Sequence, residues 1–332
     1  MRLRTVSATD KGWTRRRVGK GFVYVDEDGS RLTGEDVERI KSLVIPPAWQ
    51  DVWICKYVNG HLQCVGTDDA GRRQYLYHPD WRVKRDQQKF DRLLAMAKQL
   101  PAVRGKVTVD LGTDELSRER VLAATVRLID LGYFRIGSDV YADEHGSYGL
   151  TTLQKRHVRK KGDALVFAFT GKSGIDHEIL VDDADVCEVV QRLRLRRGGG
   201  DDLLAWKEGR RWRDVQGSDV NAYLDELFTG EVTAKDFRTW HATVIAATAL
   251  ADTPHRAATK TARKKVIRAA VVEVAEYLGN TPTIARNSYI DPRVIDLYED
   301  GVTIATALQR APKDPDRRQV RIEKAVLRML TS

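Results

Sequence analysis

Four side chains, widely separated along the chain, have the types needed for charge-stabilised group transfer: Arg135, Lys172, Arg238 and Tyr289. A guanidinium stays charged at any working pH and presents a planar fork that fits phosphate or carboxylate oxygens. A lysine ammonium, with a reference pKa of ~10.4, becomes a useful general acid once its surroundings lower that value. A phenol, at ~10, attacks as a nucleophile only with cationic help. Taken singly, each residue has an ordinary structural reading. Arg135 follows the aromatic pair Tyr133-Phe134 and suits an ion pair, while Lys172 sits in the Gly171-Lys172 turn and suits solvent. Arg238 opens an apolar helix with Asp236 as a nearby carboxylate, and Tyr289 close to a helix end suits half-buried packing.

The elements that must position these groups change character along the chain. Residues 20–85 read as mostly β. The run Gly21-Phe22-Val23-Tyr24-Val25 leads into the turn Asp26–Gly29, and the apolar runs at 52–57 and 61–65 flank Asn59-Gly60, a strong hairpin signal. Residues 71–77 read as a further strand with basic and aromatic residues interleaved. From residue 86 the period becomes helical, with Phe90, Leu93, Leu94, Ala97 and Leu100 on one face. Thr113 and Asp114 open a second helix that ends at Gly132. A β patch at 148–152, 164–169 and 177–181 follows, then helices to the end, interrupted by Gly198-Gly199-Gly200. The expected fold is therefore α+β: a small β-rich N-terminal domain over 1–85 and a mostly helical domain over 86–332.

Composition narrows the partners. Fifty-six Lys and Arg against 47 acidic residues give a formal charge of +9, which favours a polyanion through counterion release. No apolar run approaches the ~20 residues of a membrane span, and the N-terminus lacks the apolar core of a secretory signal, so the expected compartment is the cytoplasm. The three cysteines, Cys55, Cys64 and Cys187, show no metal-ligand spacing and read as core thiols. Nothing in the spacing of His145, His177 or His241 argues for metal ligation.

In this order and with these flanks, the four residues resemble the active site of the type IB DNA topoisomerases, particularly the compact poxvirus and bacterial forms. The resemblance covers nearly the whole chain. It runs from Ile45-Pro46-Pro47-Ala48-Trp49, Val52-Trp53-Ile54-Cys55 and residues 71–82 through Phe134-Arg135-Ile136-Gly137 and Tyr148–Leu153. It continues through Phe169-Thr170-Gly171-Lys172, Lys235-Asp236-Phe237-Arg238-Thr239 and Leu278-Gly279-Asn280-Thr281-Pro282 to Tyr289. It implies relaxation of supercoiled duplex DNA through a 3′-phosphotyrosine at Tyr289. Arg135 and Arg238 would stabilise the pentacoordinate phosphorane, and Lys172 would protonate the leaving 5′-oxygen. Bond energy is conserved in that ester, so the resemblance implies no ATP, metal or other cofactor. It further implies a monomer associated with the nucleoid, closing on duplex DNA as a two-lobed clamp by movement near residues 80–90.

Two positions refine the comparison. Many members of the family carry histidine nine residues before the nucleophile, where this chain has Asn280. Its amide can donate to a phosphate oxygen but cannot become cationic, and it also suits a turn beside Gly279. Lys235 stands where tyrosine recombinases usually carry histidine, and it would assist Lys172. A recombinase or integrase is the alternative reading, opposed by Lys235 and by the β-rich start. Arg72, Arg73, Gln74, Tyr75 and Tyr77 form the expected DNA-facing set, with an amphipathic edge strand as the plainer interpretation. A catalytically inert DNA-binding protein of the same fold is a further rival, opposed by the tyrosine at 289.

Overall fold

The computed structural model describes residues 1–132, 134–137, 146–252 and 259–332; Tyr133 and His145 lie outside them. Contacts divide the chain into two compact units, Met1–Phe90 and Asp91–Ser332.

The first unit is a five-stranded antiparallel sheet in the order β2-β1-β3-β4-β5. Its strands are β1 (Trp13–Val18), β2 (Gly21–Val25), β3 (Gln50–Ile54), β4 (Leu62–Thr67) and β5 (Arg73–Tyr77). Helix α1 (Glu35–Ser42) covers one face through the buried Ile40, which packs with Val52, Ile54 and Cys64. The sequence missed β1 and α1. It also made the Asn59-Gly60 connection too tight, because β3 stops at Ile54 and the link spans seven residues. Buried Gln63 explains the longer link: its amide donates to the carbonyls of Tyr57, Val58 and Gly60, satisfying loop groups that a two-residue turn would not expose.

Helix α2 (Pro79–Leu111) contains the stretch around residues 80–90 expected as a linker, and Phe90, Leu93, Leu94, Ala97 and Leu100 are all buried along it. In the second unit α3 (Arg118–Asp130) starts four residues later than Thr113-Asp114 indicated. Ser117 caps it by accepting from Arg120 N, and Arg120 donates to the carbonyls of Leu111 and Asp114, which holds the link outside the helix. The β patch is β6 (Val158–Lys161), β7 (Ala164–Thr170) and β8 (Asp176–Val181), antiparallel in that order. Residues 148–152 are not its third strand. Leu150 and Thr151 donate instead to the carbonyls of Arg135 and Ile136, and Leu150–Thr152 is a 3-10 turn.

After α4 (Ala184–Leu195) comes a hairpin the sequence did not reveal, β9 (Ala205–Glu208) with β10 (Arg211–Asp214). Then follow α5 (Gly217–Leu227), α6 (Ala234–Ala251), α7 (Lys260–Leu278), α8 (Pro282–Ser288), α9 (Pro292–Glu299), α10 (Ala305–Gln309) and α11 (Pro315–Thr331). Helix α6 is apolar around most of its circumference and accordingly central, burying Phe237, Trp240, Ala246 and Leu250. Behind it, Arg104 of α2 makes paired bonds to Asp130 of α3 (2.7 and 2.9 Å) and to Glu323 of α11 (2.6 and 2.9 Å). His241 of α6 faces the same Asp130 at 3.7 Å. No helix among the described residues is long and apolar enough to cross a membrane, and the three cysteines are buried free thiols.

Candidate active site

The C-terminus of α7 organises the site. Gly279 ends the helix in the left-handed conformation (φ 59°), where L side chains are strained and glycine is not. Asn280 N then donates back to Ala275 O at 2.9 Å, closing a Schellman-type cap. This geometry leaves the Leu278 and Gly279 carbonyls turned outward. Arg135 Nη2 donates to both at 3.0 Å, and Arg238 Nη2 donates to the Leu278 carbonyl at 2.7 Å. Two guanidiniums from distant parts of the chain therefore meet on one backbone oxygen.

Each arginine is delivered by a different local device. Arg135 follows Phe134, which is buried edge-on against Phe167 and stacked on Phe169. Just beyond it Gly137 and Gly149 touch backbone to backbone, and a Cβ on Gly149 would stand 2.3 Å from the Gly137 Cα. Arg238 lies in the second turn of α6. The carboxylate proposed as its partner is engaged elsewhere: Asp236 accepts from the Thr233 amide and hydroxyl at 2.8 Å each, capping the helix. Among the described residues no carboxylate pairs with Arg135, Lys172, Lys235 or Arg238, so their positive charge stays available.

Arg135, Lys172 and Arg238 line one pocket of about 80 Å³, together with Phe169, His177 and Gly279. Lys172 begins the short 3-10 turn between β7 and β8 and is exposed. Gly171 packs so closely on the His177 ring that a Cβ there would come within 2.6 Å of it. His177 itself stacks on Phe169 with ring centroids 5.2 Å apart. Its pKa is lowered, first by burial and then by Arg135 and Arg238, which keeps the ring neutral near pH 7. Burial and the neighbouring Arg135 also push Arg238 down to about 10, against the opposing effect of Tyr289.

Tyr289 terminates α8, half-buried, with the Lys235 ammonium and the Arg238 guanidinium each 5.9 Å from its ring centroid. Its backbone is held by Thr243, a fully buried residue of α6. The Thr243 hydroxyl donates chiefly to the Thr239 carbonyl at 2.9 Å, has Tyr289 O as a longer contact at 3.4 Å, and accepts from Asp291 N at 3.2 Å. Asn280 joins through its side-chain oxygen, which accepts from Arg135 at 3.3 Å, while its amide nitrogen is buried without a partner among the described residues. All six expected site residues thus form one connected group. Thr243 and His177 complete it: a hydroxyl inside an apolar helix carried no sequence signal, and His177 had only its nearness to Lys172.

Residues 78–311 match the family model for the catalytic core of eukaryotic DNA topoisomerase I, and residues 21–68 match the N-terminal domain of bacterial DNA topoisomerase IB. The chain belongs to the type IB DNA topoisomerase family. It is 29% identical to DNA topoisomerase 1B of Acanthamoeba polyphaga mimivirus over 299 residues, 87% of this chain and 88% of that protein. It is 23% identical to DNA topoisomerase 1B of Vaccinia virus (strain Copenhagen) over 239 residues, 71% of this chain and 72% of that one. DNA topoisomerase 1 of Mycosarcoma maydis matches 70% of this chain at 24% identity but only 24% of its own length. Membership makes the chain an isomerase acting on DNA topology, and the whole α6–α8 site lies inside the matched core.

The expected DNA-facing set lies on the other unit, between the two matched segments. Along the edge strand β5, Arg73, Tyr75 and Tyr77 alternate outward, while Gln74 and Leu76 turn inward. The two tyrosines stack with centroids 6.1 Å apart. Arg72 and Gln74 are both tied to Asp68, at 3.0 and 2.9 Å. The five residues therefore split into three on an open face and two that brace the turn before it.

Proposed function

We propose that this topoisomerase relaxes supercoiled duplex DNA by reversible transesterification at Tyr289. The phenolic oxygen attacks a backbone phosphorus, forming a 3′-phosphotyrosine while the bond to the 5′-oxygen breaks. The phenol gives up its proton to solvent water, and the departing 5′-oxygen takes one from Lys172, assisted by Lys235. Arg135 and Arg238 bind the non-bridging oxygens as charge builds on the phosphorane, and Asn280 adds a neutral N–H donor. Religation is the reverse step and draws on the energy of the phosphotyrosine ester, so no ATP enters. Arg73, Tyr75 and Tyr77 present the β5 face to the duplex, with Arg72 and Gln74 fixing the turn before it.

The observation that carries this reading is the meeting of two carboxylate-free arginines on the Leu278 carbonyl, with the ring of Tyr289 beside one of them. Relaxation of supercoiled plasmid in EDTA without ATP tests it, comparing the wild type with Tyr289→Phe. The wild type relaxes the plasmid and the variant binds it without changing its linking number. Relaxation by the phenylalanine variant would refute the assignment of the nucleophile.

A further inference from the structure

A proton donor serves a leaving group only from within hydrogen-bond reach of it. Lys172 nevertheless sits exposed on the short turn Lys172–Gly174, and its ammonium has no hydrogen bond or ion pair among the described residues. The turn is closed by its own backbone: Gly171 N donates to Ile175 O at 2.7 Å, and Gly174 N donates to Gly171 O at 3.1 Å. Those bonds fix its shape. They do not fix its place over the pocket.

The ring of His177 does. Phe169 and His177 pair across β7 and β8, and their stacked rings give the imidazole a firm base. From there it meets two walls of the pocket. On one side is Gly171, where a Cβ would stand 2.6 Å from His177 Cδ2 and 2.7 Å from Nε2. On the other is the end of α7, where a Cβ on Gly279 would lie 3.7 Å from Cε1. Gly279 has a left-handed backbone that favours glycine, but Gly171 does not: its φ is −95°, in the extended region open to any residue. The absent side chain at 171 therefore makes room for the ring. Neither ring nitrogen has a hydrogen bond among the described residues, so the imidazole acts through its shape. Its lowered pKa keeps it uncharged near pH 7, and it adds no further cation to Lys172, Arg135 and Arg238.

We propose that His177 is a positioning residue for Lys172, a spacer holding the lysine turn at a fixed distance from the carbonyls that seat both arginines. Proton donor and phosphorane stabilisers then meet the same phosphate. This rests on the reading above in taking Lys172 as the acid that serves the 5′-oxygen. Misplacing a catalytic group by ~1 Å costs about 10²-fold. Loss of the ring therefore weakens proton delivery, while the arginines stay in place on the Leu278 carbonyl.

The test is single-turnover cleavage of two suicide duplexes, one ordinary and one with sulfur in place of the bridging 5′-oxygen. In the second the P–S bond breaks and its electron pair leaves on sulfur. A thiolate is a weak base (~8.5 for cysteine) and leaves without a proton donor. His177→Ala should cleave the ordinary duplex about 10–100-fold more slowly than wild type, and the sulfur duplex within about threefold of it. His177→Phe, which keeps a flat ring on Phe169, should recover most of the lost rate. Gly171→Ala should show the same sulfur-rescued defect, and combining it with His177→Ala should cost nothing further, since the ring it strikes is gone. Equal losses on both duplexes would mean that the ring serves the phosphorane or the fold and not the lysine. Wild-type rates in both single alanine variants would make it a spectator; either result overturns the proposal. If His177→Ala does not fold, Gly171→Ala, whose backbone is unstrained, decides alone. Lys172→Ala is the control: if sulfur fails to rescue it, the assignment of Lys172 as the acid is what has failed.

Discussion

Arg238 should be worth more to the fold when it is removed than when it is present. The side chain is 5% exposed, its Nε has no partner among the described residues, and the charged group that acts on it most is another arginine, Arg135. Burial and Arg135 lower its pKa from 12.5 to about 10. A cation whose folded pKa is depressed costs stability wherever it is protonated in both states. That cost is therefore fully present near neutral pH and is relieved only as pH rises above about 10. The fall corresponds to roughly 3 kcal/mol.

Replacement by methionine removes this cost and keeps much of the volume. It also removes the hydrogen bond to the Leu278 carbonyl, worth about 1–2 kcal/mol. That oxygen is not orphaned, because Arg135 still donates to it at 3.0 Å. The balance predicts that Arg238→Met stabilises the protein by about 1–2 kcal/mol, raising Tm by roughly 2–8 °C for a unit of this size. Cleavage should fall by about 10²-fold or more, since a donor to the phosphorane is lost. Thermal unfolding in anion-poor buffer, followed by circular dichroism, makes the comparison. Added sulfate should raise the Tm of the wild type more than that of the variant, because the anion compensates the buried charge. A variant that melts below the wild type would show that Arg238 is fully compensated in the folded state, and the argument would be wrong.

Further outcomes follow from other contacts. Asn280→Ala should slow single-turnover cleavage of a suicide duplex by about 10–100-fold, a neutral donor to charged phosphate being worth about 1.5–3 kcal/mol. Arg135 keeps two carbonyl partners in that variant, so DNA affinity should hold, and a wild-type cleavage rate would remove Asn280 from the chemistry. Arg104→Ala strands two buried carboxylates and should cost about 3–5 kcal/mol near neutral pH. In the wild type, burial alone would raise the Asp130 pKa, but the nearby His241 ring and the paired hydrogen bonds from Arg104 outweigh it and hold the group well below the usual carboxylate range. That contribution is present above the unfolded value of ~3.9 and is lost as pH falls through the folded one. The gap in urea midpoint between wild type and Arg104→Ala should thus narrow as pH is lowered below about 4, and a gap that widens there would contradict this account.

What the sequence made legible, and what it hid, divides along physical lines. Apolar periodicity marked β2 and the buried face of α2, because those elements bury one side against the core. It failed where a polar side chain does the positioning. Strand β1 reads as a basic run, yet Arg15 bonds to the carbonyls of Pro46 and Trp49 and so helps fasten the sheet. The hairpin of β9 and β10 is written mostly in charged residues, with only Ala205 and Trp206 fully buried. Residues 148–152 were expected as a strand, but Leu150 and Thr151 donate to the carbonyls of Arg135 and Ile136, a long-range pairing that no local pattern encodes. The site residues were visible as an ordered set of types. Their grouping on the Leu278 carbonyl, and the hold of Thr243 on the Tyr289 backbone, were not.

The choice of a backbone carbonyl to seat both arginines has a chemical consequence. A carboxylate in that place would orient the guanidiniums more strongly, but it would also cancel their charge and compete with the phosphate that the proposed mechanism brings to them. A carbonyl orients without neutralising. At the end of α7 it also contributes the negative pole of the helix dipole, about half an elementary charge, which offsets part of the cost of holding two cations together. Each arginine commits its Nη2 to these carbonyls, and charge that the fold leaves uncompensated is charge that a phosphorane can use. The turn at Gly279 and Asn280 thereby serves two ends at once. It aims the carbonyls that hold the arginines, and it sets an unpaired amide beside them. The strain implied by the lowered Arg238 pKa is the expected counterpart of that arrangement: on the proposed mechanism, the folded protein without DNA is poised to bind negative charge at the point where the reaction would create it.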